Sequence, residues 1–142
     1  MPSTTLSIDL IAGHDAAFRG LQAEVQPIEA SSQLARTVNG ALIDLSAPQF
    51  RKYRFTVQSN DQLPPGLDGI WPGMQVVVQL NLEFSYLTSG GSPGRAVTAG
   101  SSRVDGAFTF YRPELTCRVV NWRQASSEWT ADAPWTLELE EV

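Results

Sequence analysis

The chain has 142 residues, 42% of them hydrophobic and 18% charged, with a net charge of −5. That length suits one domain with a real core, and the acidic balance argues against a general or sequence-specific nucleic-acid binder. Cys117 is the sole cysteine and His14 the sole histidine, which excludes an intrachain disulfide and a thiolate metal cluster.

Leu6, Ile8 and Leu10 alternate with Thr5, Ser7 and Asp9, predicting a first strand near 4–11. The chain then turns at Gly13, His14 and Asp15. Leu21, Ala23 and Val25 alternate with Gln22, Glu24 and Gln26 in a second strand that Pro27 stops. Asn39-Gly40 lies between QLARTV and ALIDLS, and this pair supplies the two positive-φ residues of a type I′ turn. A hairpin follows, with strands near 33–38 and 41–46 and Val38 opposite Ala41. Beyond Pro48, the residues Tyr53, Phe55 and Val57 share one strand face, with Lys52, Arg54, Thr56 and Gln58 on the other. Arg51, Lys52 and Arg54 form the dense basic cluster of the chain. The period of two turns Tyr53 and Phe55 away from Lys52 and Arg54, so the cluster reads as a solvated or partner-facing surface, not a stacking platform.

Residues 60–73 carry Pro64, Pro65 and Pro72 with Gly66, Gly69 and Gly73, which predicts a rigid loop. Leu67, Ile70 and Trp71 are its apolar anchors, and they either cap the core or meet a partner. From Met74 to Tyr86 an apolar residue falls on every second position. At ~3.3 Å per residue that is one central strand of roughly 43 Å, longer than a small domain needs and suited to an assembly. Residues 88–106 are rich in Gly, Ser, Thr and Ala, with Val97 and Val104 as the sizeable apolar groups. They read either as a mobile surface loop or as an arm that another chain would order, with Arg95 and Arg103 then its intersubunit ion-pair donors. AFTFYR, ELTCRVVNW and WTLELEEV give three further strands. Glu140 and Glu141 would complement Arg51, Lys52 and Arg54 of a neighbouring copy.

The expected fold is a single all-β domain over 1–142, a sandwich or barrel of about eight or nine mostly antiparallel strands. GGSPG lacks the Lys-Ser/Thr and the strand–helix setting of a phosphate loop, and the acids do not fall at EF-hand spacing. No catalytic, metal or cofactor set is predicted, and the chain reads as non-enzymatic. MPSTTLSIDLIAG lacks the basic and apolar regions of a signal peptide, and no apolar run approaches the ~20 residues of a membrane span. Synthesis in a cytoplasm, without a membrane partner, is the expectation. The interface candidates are Arg51, Lys52, Arg54, Leu67, Ile70, Trp71, Arg95, Arg103, Glu140 and Glu141.

Four stretches, RTVNGALIDLSAPQFRKYRFTV, LDGIWPGMQVVVQL, FTFYRPELTCRVVNW and WTLELEEV, resemble small virion proteins of tailed bacteriophages, tail-associated ones in particular. They are hairpin, loop and strand text without a catalytic signature. The resemblance implies a tail-tube, distal-tail or baseplate-ring subunit: a β-sandwich or barrel whose sheets join around a ring. Its partners would be itself and other virion proteins, and its location the virion. A capsid decoration or head–tail joining protein is the alternative, and a virion-associated glycan hydrolase built on two of the scattered carboxylates is a third.

Overall fold

A computed structural model describes residues 6–8, 11, 20–29 and 33–142. The turn expected at His14 and Asp15, and most of the first strand, lie outside the described residues. The strands are β1 (Ser7–Ile8), β2 (Gln22–Pro27), β3 (Leu34–Arg36), β4 (Leu42–Asp44), β5 (Tyr53–Asp61) and β6 (Gln75–Gln79). They continue with β7 (Phe84–Leu87), β8 (Ala96–Val97), β9 (Arg103–Asp105), β10 (Phe108–Tyr111), β11 (Pro113–Gln124) and β12 (Ala133–Glu141). The main sheet runs β1-β6-β11-β12-β5-β2, with β8 beside the start of β11. A second sheet runs β7-β10-β9, and among the described residues β3 and β4 pair only with each other. All of these pairings are antiparallel. The protein is all-β.

The period of two builds the core. Phe55 and Val57 from β5 pair with Leu139 and Leu137 of β12, and Val119 of β11 lies opposite Leu139. All five are buried, together with Val76, Val78, Leu115 and Cys117. A bulge between Val119 and Asn121 inserts one residue, so Trp122 comes back to the core side opposite Leu137. The 62–73 loop closes over that side with Leu67 and Ile70, both buried. The Trp122 indole N–H donates to the Ile70 carbonyl at 2.7 Å, and the Gly73 amide donates to the Val119 carbonyl at 2.7 Å.

Three expectations are corrected. Met74–Tyr86 is not one strand: β6 ends at Gln79, the chain bends through residues 80–83, and β7 joins the other sheet. Leu80 is buried and Leu82 half-buried, so the alternation survives a bend that moves the chain between sheets. The central, long strands are β11 and β12. The 88–106 segment, in turn, is ordered by its own chain. Val97 pairs with Pro113 and Ala96 with Glu114, while the Thr98 amide donates to the Arg112 carbonyl at 2.9 Å. The Arg112 amide in return donates to Ser101 Oγ at 3.2 Å, and Thr98 and Ser101 are buried. Backbone pairing anchors this segment, which counting apolar residues does not detect.

The Asn39-Gly40 turn also differs in kind. The Thr37 amide donates to the Ala41 carbonyl at 2.8 Å and the Gly40 amide to the Thr37 carbonyl at 2.9 Å. Thr37, not Val38, therefore lies opposite Ala41, across a three-residue turn. Gly40 takes a φ of +84° and Asn39 does not turn positive, which matches a three-residue hairpin loop closed by a left-handed glycine.

Candidate functional site

The ten residues singled out from the sequence separate by what each one touches. Leu67 and Ile70 belong to the core, whereas Trp71 in the same loop is 70% exposed. Of the charge pairs expected with a neighbour, Arg54 with Glu140 forms within the chain, while Glu141 pairs with Arg95 instead. Arg54 and Glu140 face each other on neighbouring β5 and β12, with Nη2 2.7 Å and Nε 3.0 Å from the same Oε1. That contact raises the Arg54 pKa. Glu141 receives a bidentate contact from Arg95, Nε to Oε2 at 2.6 Å and Nη2 to Oε1 at 2.8 Å. The hydrogen bonds from Glu141 likewise hold the Arg95 pKa above its ordinary value. Arg95 also donates to the Arg51 carbonyl at 2.8 Å and lies over the Tyr53 ring at 4.9 Å.

Arg103 pairs with Glu83 at 3.0 Å and covers the Phe110 ring at 4.4 Å. Hydrogen bonding to that guanidinium lowers the Glu83 pKa. Arg95 and Arg103 thus fasten the 88–106 segment to the body of the same subunit. Within the single chain both guanidinium groups are therefore already paired. Arg51 is exposed, and the Lys52 carbonyl accepts from the Ile28 amide at 3.0 Å.

Several hollows open on the body, and two of them are the roomiest. One, about 500 Å³, lies among Tyr53, Phe84, Tyr86, Tyr111, Glu83 and Arg95. Its rings pack tilted or edge-on at 5.4 to 6.1 Å, and its two charged groups are already paired to Arg103 and Glu141. The other, about 330 Å³, lies beside Gln22, Gln58, Pro134 and Trp135. Among the described residues, no three of His, Cys, Asp and Glu gather at a spacing that could hold a metal ion. Burial pushes the Cys117 thiol up to about 12, so it stays protonated at neutral pH and is a packing group.

What sequence reasoning passed over is the exposed apolar surface of the β3–β4 hairpin. Cross-strand pairing puts Leu34, Arg36, Leu42 and Asp44 on one face, and Ala35 and Ile43 on the other. Both faces are largely uncovered: Leu34, Leu42, Ile43 and Leu45 are exposed, Val38 at the tip is fully so, and Ala35 is half-buried. The two-stranded ribbon is held by its own ladder, by the Arg36 guanidinium bonding the Gly40 carbonyl at 2.9 Å, and by the Ser46 amide on Asp44 at 2.9 Å. Those Ser46 hydrogen bonds lower the Asp44 pKa. A signal was present in the sequence. Leu42 and Ile43 are adjacent, so apolar groups fall on both faces, which a half-buried strand avoids.

The hairpin leaves the main sheet at the end where β5 begins and β12 finishes. At the opposite end, where Asp61 pairs with Ala133, lie the 62–73 loop's start and the turn between β11 and β12. Leu63 and Trp129 are exposed there, Trp129 at 98%. Comparison with protein-family models, curated proteins and solved structures gives no match.

Proposed function

We propose that the chain is a structural subunit that assembles with further copies of itself, without catalytic activity of its own. The setting is the one its resemblance implies, the tail of a tailed-phage virion, where it would meet other virion proteins. The observation that carries the reading is the β3–β4 hairpin, with Leu34, Val38, Leu42, Ile43 and Leu45 exposed over both faces. An isolated two-stranded hairpin is marginal in water, and an apolar one is a liability unless something covers it. An assembling subunit has that cover in its neighbour. Paired arginines and carboxylates on the body, and rings packed on rings in its larger hollow, fit a scaffold more readily than a reaction site.

Light scattering on the purified protein, with negative-stain imaging, tests this. Rings, tubes or defined oligomers are expected. A triple Val38→Ser, Leu42→Ser, Leu45→Ser variant should stay folded by circular dichroism and remain monomeric. A wild-type protein that is monomeric at every concentration up to the millimolar range overturns the reading.

A further inference from the structure

We infer that the contact between copies is head-to-tail: the hairpin of one subunit seats on the Trp129 end of the next. This rests on the self-assembly proposed above and adds its direction and its surface. Strand register gives the geometry. Arg54 pairs with Glu140 at one end of the β5–β12 ladder and Asp61 with Ala133 at the other. Tyr53, which follows the hairpin after a short turn at Pro48–Phe50, belongs to the first end. Leu63 and the turn holding Trp129 belong to the second. Val38 and Trp129, the two most exposed apolar residues among those described, therefore sit at opposite ends of one sheet, not on one self-complementary patch.

A two-fold dimer would need one patch to match itself. Two different patches on opposite ends instead make a heterologous contact, which repeats into a ring or a filament. Exposed tryptophan is the residue type that anchors interfaces, and Trp129 at 98% exposure has its whole ring to contribute.

Charge supports the same occupant. The hairpin end carries Arg36, Arg51 and Lys52 against Glu29 and Asp44, whereas the loops of the opposite end carry Asp68, Glu128 and Asp132 against Arg123. A basic-leaning end facing an acidic one favours head-to-tail approach and opposes the meeting of like ends. The occupant of the Trp129 end is thus a second copy of this chain, presenting Val38 and Leu42 with its basic flank.

Paired single-cysteine variants test the direction. Val38→Cys and Ser126→Cys subunits are mixed and treated with a short bis-maleimide, the buried Cys117 being silent. Each subunit then carries one reactive thiol, so every cross-link joins two chains. The expected product is Val38→Cys linked to Ser126→Cys, at least severalfold above either self-linked product, and Trp129→Ala should abolish it while leaving the circular dichroism unchanged. Predominant self-linking of Val38→Cys means hairpins meet each other, and it overturns the direction while self-assembly stands. Oligomers without any of these links place the contact elsewhere and overturn it as well. If light scattering finds only monomers, self-assembly itself fails and takes this inference with it.

Discussion

The β5–β12–β11 ladder and the β3–β4 hairpin are both built from strands rich in apolar residues, yet the first is dry and the second exposed. Leu137 and Leu139 are fully buried, while Val38 and Leu45 are among the most exposed apolar residues. The difference lies in neighbours and in phase. β12 has β11 on one side and β5 on the other, and its polar partners Thr136, Glu138 and Glu140 all fall on the outer face. Among the described residues the hairpin pairs with itself alone, and its adjacent Leu42 and Ile43 send apolar groups to both faces. Alternation specifies which side of a strand is apolar. Whether that side is covered depends on what packs against it.

The contrast breaks most directly by truncation. Leu137→Ala should cost ~2–5 kcal/mol in urea unfolding, as core cavities do, whereas Leu42→Ser should leave subunit stability within ~0.5 kcal/mol. Equal midpoint shifts would mean that the hairpin is part of the cooperative core.

A second test sharpens the boundary of the body. Glu141 is 10% exposed and holds Arg95, which is 26% exposed, by two hydrogen bonds. Glu141→Gln keeps the shape and removes the charge, and it should cost ~1–3 kcal/mol, toward the lower figure because Arg95 reaches solvent. Hydrogen exchange should quicken first at the Thr98 and Ser101 amides, whose bonds anchor the neighbouring turn. Unchanged exchange there would show that β8 is held by its ladder alone.

Cys117 tests dryness by pH. Burial pushes its folded pKa up to about 12, above the thiol's ordinary value of 9.0. The folded state therefore holds the thiol proton more tightly than the unfolded chain does. The stability from keeping the neutral thiol is complete below about pH 9 and is lost as the pH rises toward 12. Cys117→Ala should flatten that alkaline decline. At pH 8 a thiol reagent should label the native protein far more slowly than the unfolded one, and rapid labelling would contradict a sealed core.

Much of this body was legible in the sequence. Tyr53, Phe55 and Val57, the Leu115–Val119 run and Trp135–Leu139 alternate in the phase the structure adopts, because a half-buried strand must. Leu67 and Ile70 stood out as apolar anchors in a Pro- and Gly-rich loop. What escaped reading was anything that preserves the period while changing its setting. The bend through 80–83 keeps Leu80, Leu82 and Phe84 in phase while exchanging one sheet for another. The ties on 88–106 are backbone hydrogen bonds and two arginine pairs, and the choice between Glu141 of the same chain and of a neighbour depends on distances in space. The exposed hairpin was read correctly as a hairpin. Its lack of cover is hinted at by the adjacent Leu42 and Ile43, but what would cover it depends on neighbours that local pattern does not carry.

The smallest expected effect bears on the turn that holds the hairpin. Gly40 takes a φ of +84°, and a Cβ built there meets no atom within 4 Å, so a side chain would suffer backbone strain without a clash. Gly40→Ala should therefore cost the hairpin ~1–2 kcal/mol, while Gly40→Asn, which tolerates that conformation, should cost less. Because the ribbon pairs only with itself, the penalty should stay local. Exchange at the Thr37 and Gly40 amides, whose bonds close the turn, should accelerate, and the urea midpoint of the whole subunit should not move. Assembly should weaken in the same order, glycine above asparagine above alanine, since a frayed ribbon presents Val38 and Leu42 less often. A midpoint that falls with Gly40→Ala as far as with Leu137→Ala would join the two regions into one cooperative unit, and the distinction between body and hairpin would fail.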